Sequence, residues 1–254
     1  MNDELVDAPL ANELLLVDDD EGIRTITINR PAVKNALTAA MRTRLCELLA
    51  DADGAADVRA VVITAVDPVF SAGVDFREAA TGPPPARNPG KALRAMAKPV
   101  ICAVNGACVT GGLELALSCT FVVASQRARF ADTHARLDVV AGWGLTALLP
   151  RAVGVRKAAE MSITGNFVDA DEALRLGLVN HVVPHDGLAS FTRALALEVA
   201  GTGAVAEVLD LYRRGDGLPL AEALALEAGH NAGRTFDPAA FGAAGAATAA
   251  RGKP

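Results

Sequence analysis

The stretch NGACVTGGLELALSC, residues 105–119, combines an Asn-Gly turn, a β-prone run, a glycine pair and an apolar helix-forming segment. Asn-Gly closes a strand, because both residues accept turn backbone. Glycines at a helix start leave the backbone bare for another group to approach. The first N–H groups of a helix have no internal partner and carry partial positive charge. Such a turn can hold an oxyanion. One carboxylate, Glu114, stands inside the apolar run, beside Leu113, Leu115 and Leu117. First-turn carboxylates are common because the helix dipole favours them. A solvated capping residue has little need of such neighbours, so Glu114 is also a candidate acid–base group.

Working outward, KPVICAVNG before this helix and TFVVAS after it read as buried strands, as does RAVVITAV further upstream. ELLLV and IRTITIN flank DDDEG and predict a hairpin near residues 13–29. TAAMRTRLCELLADAD carries Met41, Leu45, Leu48 and Leu49 at helical spacing, with Thr38 as N-cap. After residue 150 the chain turns helical. Asp169 and Glu172 stand at capping-box spacing, and Gly177 fits the C′ position of the same helix. Strand and helix in this alternation give an α/β fold. REAATGPPPARNPG, residues 77–90, has no periodicity and is expected to be a mobile surface loop.

Composition narrows the function. Of 254 residues, 51% are hydrophobic but only 4% aromatic, so the core is built mostly of Ala, Val and Leu. A net charge of −6 argues against a general nucleic-acid binder, which is usually basic. Cys46, Cys102, Cys108 and Cys119 form no CxxC pair and have no histidine at metal-ligand spacing. They read as reduced core residues, the N-terminus lacks a signal-peptide pattern, and no run approaches the ~20 apolar residues of a membrane span. A cytoplasmic location and no membrane partner are expected.

A second small-residue turn, Ser71-Ala72-Gly73, lies in VFSAGVDFRE, residues 69–78, at a strand end. Two such turns supply two converging N–H donors. In four ordered places the sequence resembles the crotonase, or enoyl-CoA hydratase/isomerase, superfamily: INRPAVKNAL, FSAGVDF, KPVICAVNGACVTGGLELALSC and GVRKAAEMSITGNFVDADEALRLGLVNHVV. The resemblance runs from about residue 14 to residue 187; the C-terminal block matches only in helical character.

The resemblance implies a spiral of ββα units over residues 1–187 that carries an acyl-CoA site, then a helical trimerisation region over 188–254, with trimers that pair into hexamers. It implies an acyl-coenzyme A thioester as ligand, its oxygen held by the backbone amides of Val74 and Gly111. The adenine end is expected against Val33, Lys34, Ala36, Ala72 and Asp75, although Lys34 also reads as a solvated lysine. Trp143 is expected to line the acyl pocket, with core packing as the alternative.

Hydratases of this family use two glutamates. Glu114 matches the first, and His134 stands at the position of the second. Hydration needs a proton removed from water and another delivered to carbon. Histidine, with an unperturbed pKa of about 6.5, can do either. Asp132 and Asp138 flank His134 and could substitute for it, and Asp132 with Arg136 also reads as a loop ion pair. His181 and His185 read as surface residues, and Arg151, Arg156 and Lys157 as a solvated helix face. The expected reaction is hydration of a trans-2-enoyl-CoA to a 3-hydroxyacyl-CoA by Glu114 and His134, with no metal, nucleotide or flavin. Enoyl-CoA isomerisation, or acyl-CoA binding with weak catalysis, are the alternatives.

Overall fold

The computed structural model describes residues 11–80, 87–200 and 203–251. Residues 1–10 and the centre of the Pro/Gly-rich stretch, 81–86, lie outside the described residues. The elements are α1 (Ala11–Leu14), β1 (Leu15–Asp20), β2 (Ile23–Ile28), α2 (Ala39–Gly54), β3 (Ala60–Ala65), β4 (Val69–Ser71), α3 (Phe76–Ala79) and α4 (Pro89–Ala95). They continue with β5 (Val100–Val104), β6 (Ala107–Val109), α5 (Gly111–Ser118), β7 (Phe121–Ser125), β8 (Arg129–Ala131), α6 (Leu145–Val153), α7 (Val155–Thr164) and β9 (Val168–Asp169). The remainder is α8 (Ala170–Leu176), β10 (His181–Val183), α9 (Leu188–Ala200), α10 (Val205–Gly215), α11 (Leu220–Ala232) and α12 (Pro238–Arg251).

Two sheets result, one ordered β1-β2-β3-β5-β7-β10 and the other β4-β6-β8-β9. Within the first, β1 and β2 are antiparallel and the rest parallel. Three times the chain passes from the large sheet through a tight connection into the small one: β3 to β4, β5 to β6, β7 to β8. A helix follows each passage. This is the expected spiral of ββα units, and it lines up the ends of β4, β6 and β8.

The β1–β2 hairpin departs from expectation. The acidic run does not form the turn: Asp18–Asp20 belong to β1, and the two-residue turn is Glu21-Gly22, both at positive φ. Such a turn matches the twist of the flanking strands. The aspartates tolerate a strand because Asp19 lies opposite Arg24, whose guanidinium pairs with it at 2.7 Å and also reaches Asp51. Thr38 caps α2, accepting from the Met41 amide at 3.2 Å. Asp169 caps α8 through the Glu172 amide at 2.8 Å, and Gly177 ends that helix at φ +78°.

Both faces of the large sheet are covered, which is why its strands read as continuous apolar runs. Val61, Ile63, Cys102 and Val104 face the main core with α2 and α5, while Ala60, Val62, Ile101 and Ala103 face α9. α9 packs on the sheet through Leu188, Ala196 and Ala200, and the first compact unit runs to Ala206. The second unit, from Glu207, is helical. Within it Glu207 accepts from His230 at 2.6 Å and pairs with Arg234 at 2.9 Å. The 77–90 segment is less irregular than expected, since α3 and α4 occupy both ends and Asn88 caps α4. Among the described residues no helix is long and apolar enough to cross a membrane.

Candidate active site

Thr110 sets the start of α5. It sits at φ +48° and ψ −113°, a conformation rare for a β-branched residue, and three contacts hold it. Its amide donates to Ala131 O at 3.0 Å, its hydroxyl donates to Ala72 O at 3.1 Å, and its carbonyl accepts the Glu114 amide at 2.9 Å. The ends of β4, β6 and β8 are thereby tied at one point. The bend leaves the Gly111 amide at the first helical position, where no intrahelical acceptor exists.

The turn after β4 lies directly against it. Gly73 adopts φ +93°, and a Cβ there would fall 2.1 Å from Thr110 Oγ1 and 2.9 Å from Gly111 N. A Cβ on Gly112 would fall 2.7 Å from Ser71 O. Only glycine permits this approach of two backbones. Val74 forms a parallel bridge with Leu37 in which the Leu37 amide reaches Gly73 O and the Asp75 amide reaches Leu37 O. That pattern points the Val74 N–H away from the bridge. The two expected oxyanion donors, Val74 and Gly111, thus sit on adjoining turns.

Glu114, 2% exposed, projects from α5. Its Oε1 accepts the Trp143 amide at 2.6 Å and the Leu145 amide at 3.3 Å. Oε2 is turned toward His134, with Nε2 3.7 Å away. Burial pushes the Glu114 carboxyl above the ordinary glutamate value, opposed by the two amides and by His134. The Trp143 turn is itself braced: Arg94 donates to Trp143 O at 2.6 Å and to Ser118 Oγ at 2.9 Å, and Ser118 donates to Glu114 O at 2.7 Å. The indole lies over the start of α5, where a Cβ on Gly111 would be 3.0 Å from Trp143 Cζ3. The buried Arg42 guanidinium stands 5.7 Å from the indole centroid.

The remaining expected residues fall into two groups. Lys34, Ala36, Ala72 and Asp75 are brought together, since Ala72 N donates to Lys34 O at 3.0 Å and Arg30 bridges Ala36 O and Asp75 at 3.1 and 2.6 Å. Val33 lies in the adjoining 3-10 turn, Pro31–Val33, and Lys34 is exposed. The Asp75 carboxylate is engaged by Arg30 and by the Arg77 amide, which hold its pKa below the usual range despite burial; it braces the turn. Asp132 pairs with His134 and not with Arg136, whose guanidinium goes to Thr164 O and Asn166. His185 is not a bare surface residue: its ring lies between Ser125 Oγ and Asp67, each at 3.0 Å. His181 is exposed and its ring meets that of Phe191 at a tilt of 59°, with centroids 5.0 Å apart. Lys157 pairs with Glu172 at 2.8 Å.

The sequence reading missed Asn35 and Arg94. Asn35 is fully buried and donates to Val66 O and Val69 O, fixing the connection into β4. A local signal existed, because Asn tolerates the positive φ of 54° found there. Arg94 had none, since its partners come from α5 and the Trp143 turn.

Residues 18–237 match the family model described as Enoyl-CoA hydratase/isomerase. A protein of Arabidopsis thaliana named "Probable enoyl-CoA hydratase 1, peroxisomal" is 36% identical over 230 residues, 87% of each chain. The (E)-benzylidenesuccinyl-CoA hydratase of Thauera aromatica is 36% identical over 186 residues, covering 69% of this chain and 72% of that one. Among solved structures, the enoyl-CoA hydratase of Mycobacterium tuberculosis H37Rv is 49% identical with a TM-score of 0.76, over 85% of this chain and 96% of that one. The chain belongs to the enoyl-CoA hydratase/isomerase family, within the crotonase superfamily.

Proposed function

We propose that this chain is an enoyl-CoA hydratase that adds water across a trans-2-enoyl-CoA to give a 3-hydroxyacyl-CoA. One observation carries the reading. Glu114 Oε2 and His134 Nε2 stand 3.7 Å apart, beside the touching turns of Gly73 and Gly111. With hydrogen bonds of about 2.8 Å, one water molecule can contact both groups. The thioester oxygen is assigned to the Val74 and Gly111 amides, where negative charge develops as water adds. Two proton-carrying groups suit hydration better than isomerisation, which needs a single shuttle.

The remaining parts of the reading follow from it. The adenine end of the ligand is assigned to the Val33–Ala36 and Ala72–Asp75 turns, and the acyl group to the indole of Trp143. Coenzyme A arrives with the substrate, and no further cofactor has a step to perform. The C-terminal helices are assigned to assembly as a homotrimer or a dimer of trimers, and the site of action to the cytoplasm.

Incubation of purified protein with short- and medium-chain trans-2-enoyl-CoAs, followed by product mass, tests the reaction. Gain of one water supports hydration. A shifted double bond at unchanged mass would make the chain an isomerase. Unchanged substrate that still binds by calorimetry would reduce it to an acyl-CoA binder.

A further inference from the structure

Asp132 is 3% exposed, yet it is a carboxylate with a concentrated set of donors. Oδ1 accepts from the His134 amide at 3.1 Å and contacts the imidazole Nδ1 at 2.6 Å, and Ser162 of α7 hydrogen-bonds the same carboxyl. Burial alone would raise its pKa, but the bonds from His134 and Ser162 outweigh burial and hold it below the ordinary aspartate value. The group is therefore an anion. An anion at 2.6 Å from Nδ1 requires a proton on Nδ1. The opposite ring nitrogen, Nε2, then faces Glu114 Oε2.

We propose that Asp132 is the positioning residue of this site: by holding the proton of His134 on Nδ1, it presents Nε2 as the base for water and leaves proton delivery to Glu114. The inference rests on the hydratase reading. The step balances as follows. His134 Nε2 takes one proton from water, and the water oxygen bonds to C3 of the enoyl group. The π electrons move toward the thioester oxygen, and the enolate so formed takes the Glu114 Oε2 proton at C2. The enzyme is left with an imidazolium and a carboxylate 3.7 Å apart, and proton return between them restores the starting pair. Asp132 also stabilises the imidazolium, as an anion beside a cation does.

The charges around His134 are accounted for. Glu114 faces it from α5 and Asp132 from the turn after β8. Arg136 on the following turn is directed to Thr164 O and Asn166, and on α7 Lys157 is paired with Glu160 and Glu172. Among the described residues, Glu114 and Asp132 are the charged groups in contact with the imidazole.

The test has two arms. Long-range nitrogen-15 spectra of the unmodified protein report which ring nitrogen carries the proton, with the His134 signals assigned by their loss in His134→Ala from a set of four histidines. The expected result at the pH of full activity is protonated Nδ1 and bare Nε2; a bare Nδ1 overturns the proposal. In Asp132→Asn, kcat is expected to fall at least about tenfold with KM within a few-fold. An unchanged kcat in Asp132→Asn overturns the proposal. The spectral arm needs no substrate and no variant of Asp132. If no enoyl-CoA is hydrated, the functional reading fails while the tautomer still decides what Asp132 does.

Discussion

The Trp143 amide donates to Glu114 Oε1 at 2.6 Å across 29 residues of chain. One oxygen of the carboxylate is thus fixed by backbone, and the other faces His134. The division matters because an amide cannot be titrated away. It holds the side chain in one orientation whatever its protonation state.

Replacing Glu114 by Gln keeps an acceptor for the Trp143 and Leu145 amides and removes the titratable oxygen. Turnover should fall by about 10²–10⁴-fold, the usual contribution of a positioned acid–base group. Acyl-CoA affinity, measured by calorimetry, should change little because the assigned oxyanion donors are backbone amides. Full activity in correctly assembled protein would return Glu114 to the status of a capping carboxylate.

The same variant carries a stability signature. Burial raises the folded-state pKa of Glu114. A carboxyl raised in this way contributes stability that is complete below its unfolded pKa and is lost as pH climbs through the folded value. The glutamine loses nothing over that window. Melting temperatures taken below the ordinary glutamate range and again at neutrality should diverge, with the variant gaining on the parent as pH rises. A gap independent of pH would show that the carboxyl is not destabilised by its site.

Gly73→Ala tests the contact between turns. The new methyl would meet Thr110 Oγ1 at 2.1 Å and Gly111 N at 2.9 Å, in a backbone at φ +93°. Loss of one oxyanion donor costs about 10²–10³ in kcat. Gly177→Ala is the control: its φ is +78°, but the nearest atom to a methyl is Ala152 O at 3.5 Å. That variant should lose stability with turnover intact. Equal activity losses in the two would separate the Gly73 turn from catalysis.

The second compact unit exposes Tyr212 (73%), Leu220 (76%), Phe236 (67%) and Phe241 (67%). Each buried side chain of this size is worth about 1.5–3 kcal/mol, so a chain presenting several has reason to associate. Sedimentation velocity at micromolar protein should show a trimer or a dimer of trimers. A single monomer boundary would remove the assembly reading and leave these residues unexplained.

Local signals carried most of the fold. The capping residues Thr38 and Asp169, the strands Ala60–Ala65 and Val100–Val104, and the glycine pair at the start of α5 were legible because each is decided within a few residues of chain. The misreadings share a different origin. Asp18–Asp20 looked like turn residues because Arg24 becomes their neighbour only once the hairpin closes. His185 looked exposed because its partners Asp67 and Ser125 lie 118 and 60 residues away. Arg94 and the Trp143 amide were silent for the same reason. The spacing of Asp132 and His134 was visible, but their pairing depended on which way Arg136 turned, and nothing local decides that.

The last prediction concerns the histidine itself. If His134 takes the proton of water, His134→Ala should cut turnover by at least about a decade and abolish the acid limb of the profile. His134→Glu supplies the residue type of the two-glutamate pattern, yet it should not restore activity by itself. The new carboxylate would stand between Asp132 and Glu114, which lie 2.6 and 3.7 Å from the nitrogens of the present ring. Three carboxyls so close cannot all ionise, and like charges raise one another's pKa. The surviving activity should therefore appear only at higher pH. Adding Asp132→Asn to His134→Glu removes the extra anion and should move the limb back down and recover part of the turnover. A fully active His134→Glu with Asp132 intact would mean that Asp132 does not face this position in solution, and the Asp132–His134–Glu114 arrangement would fall with it.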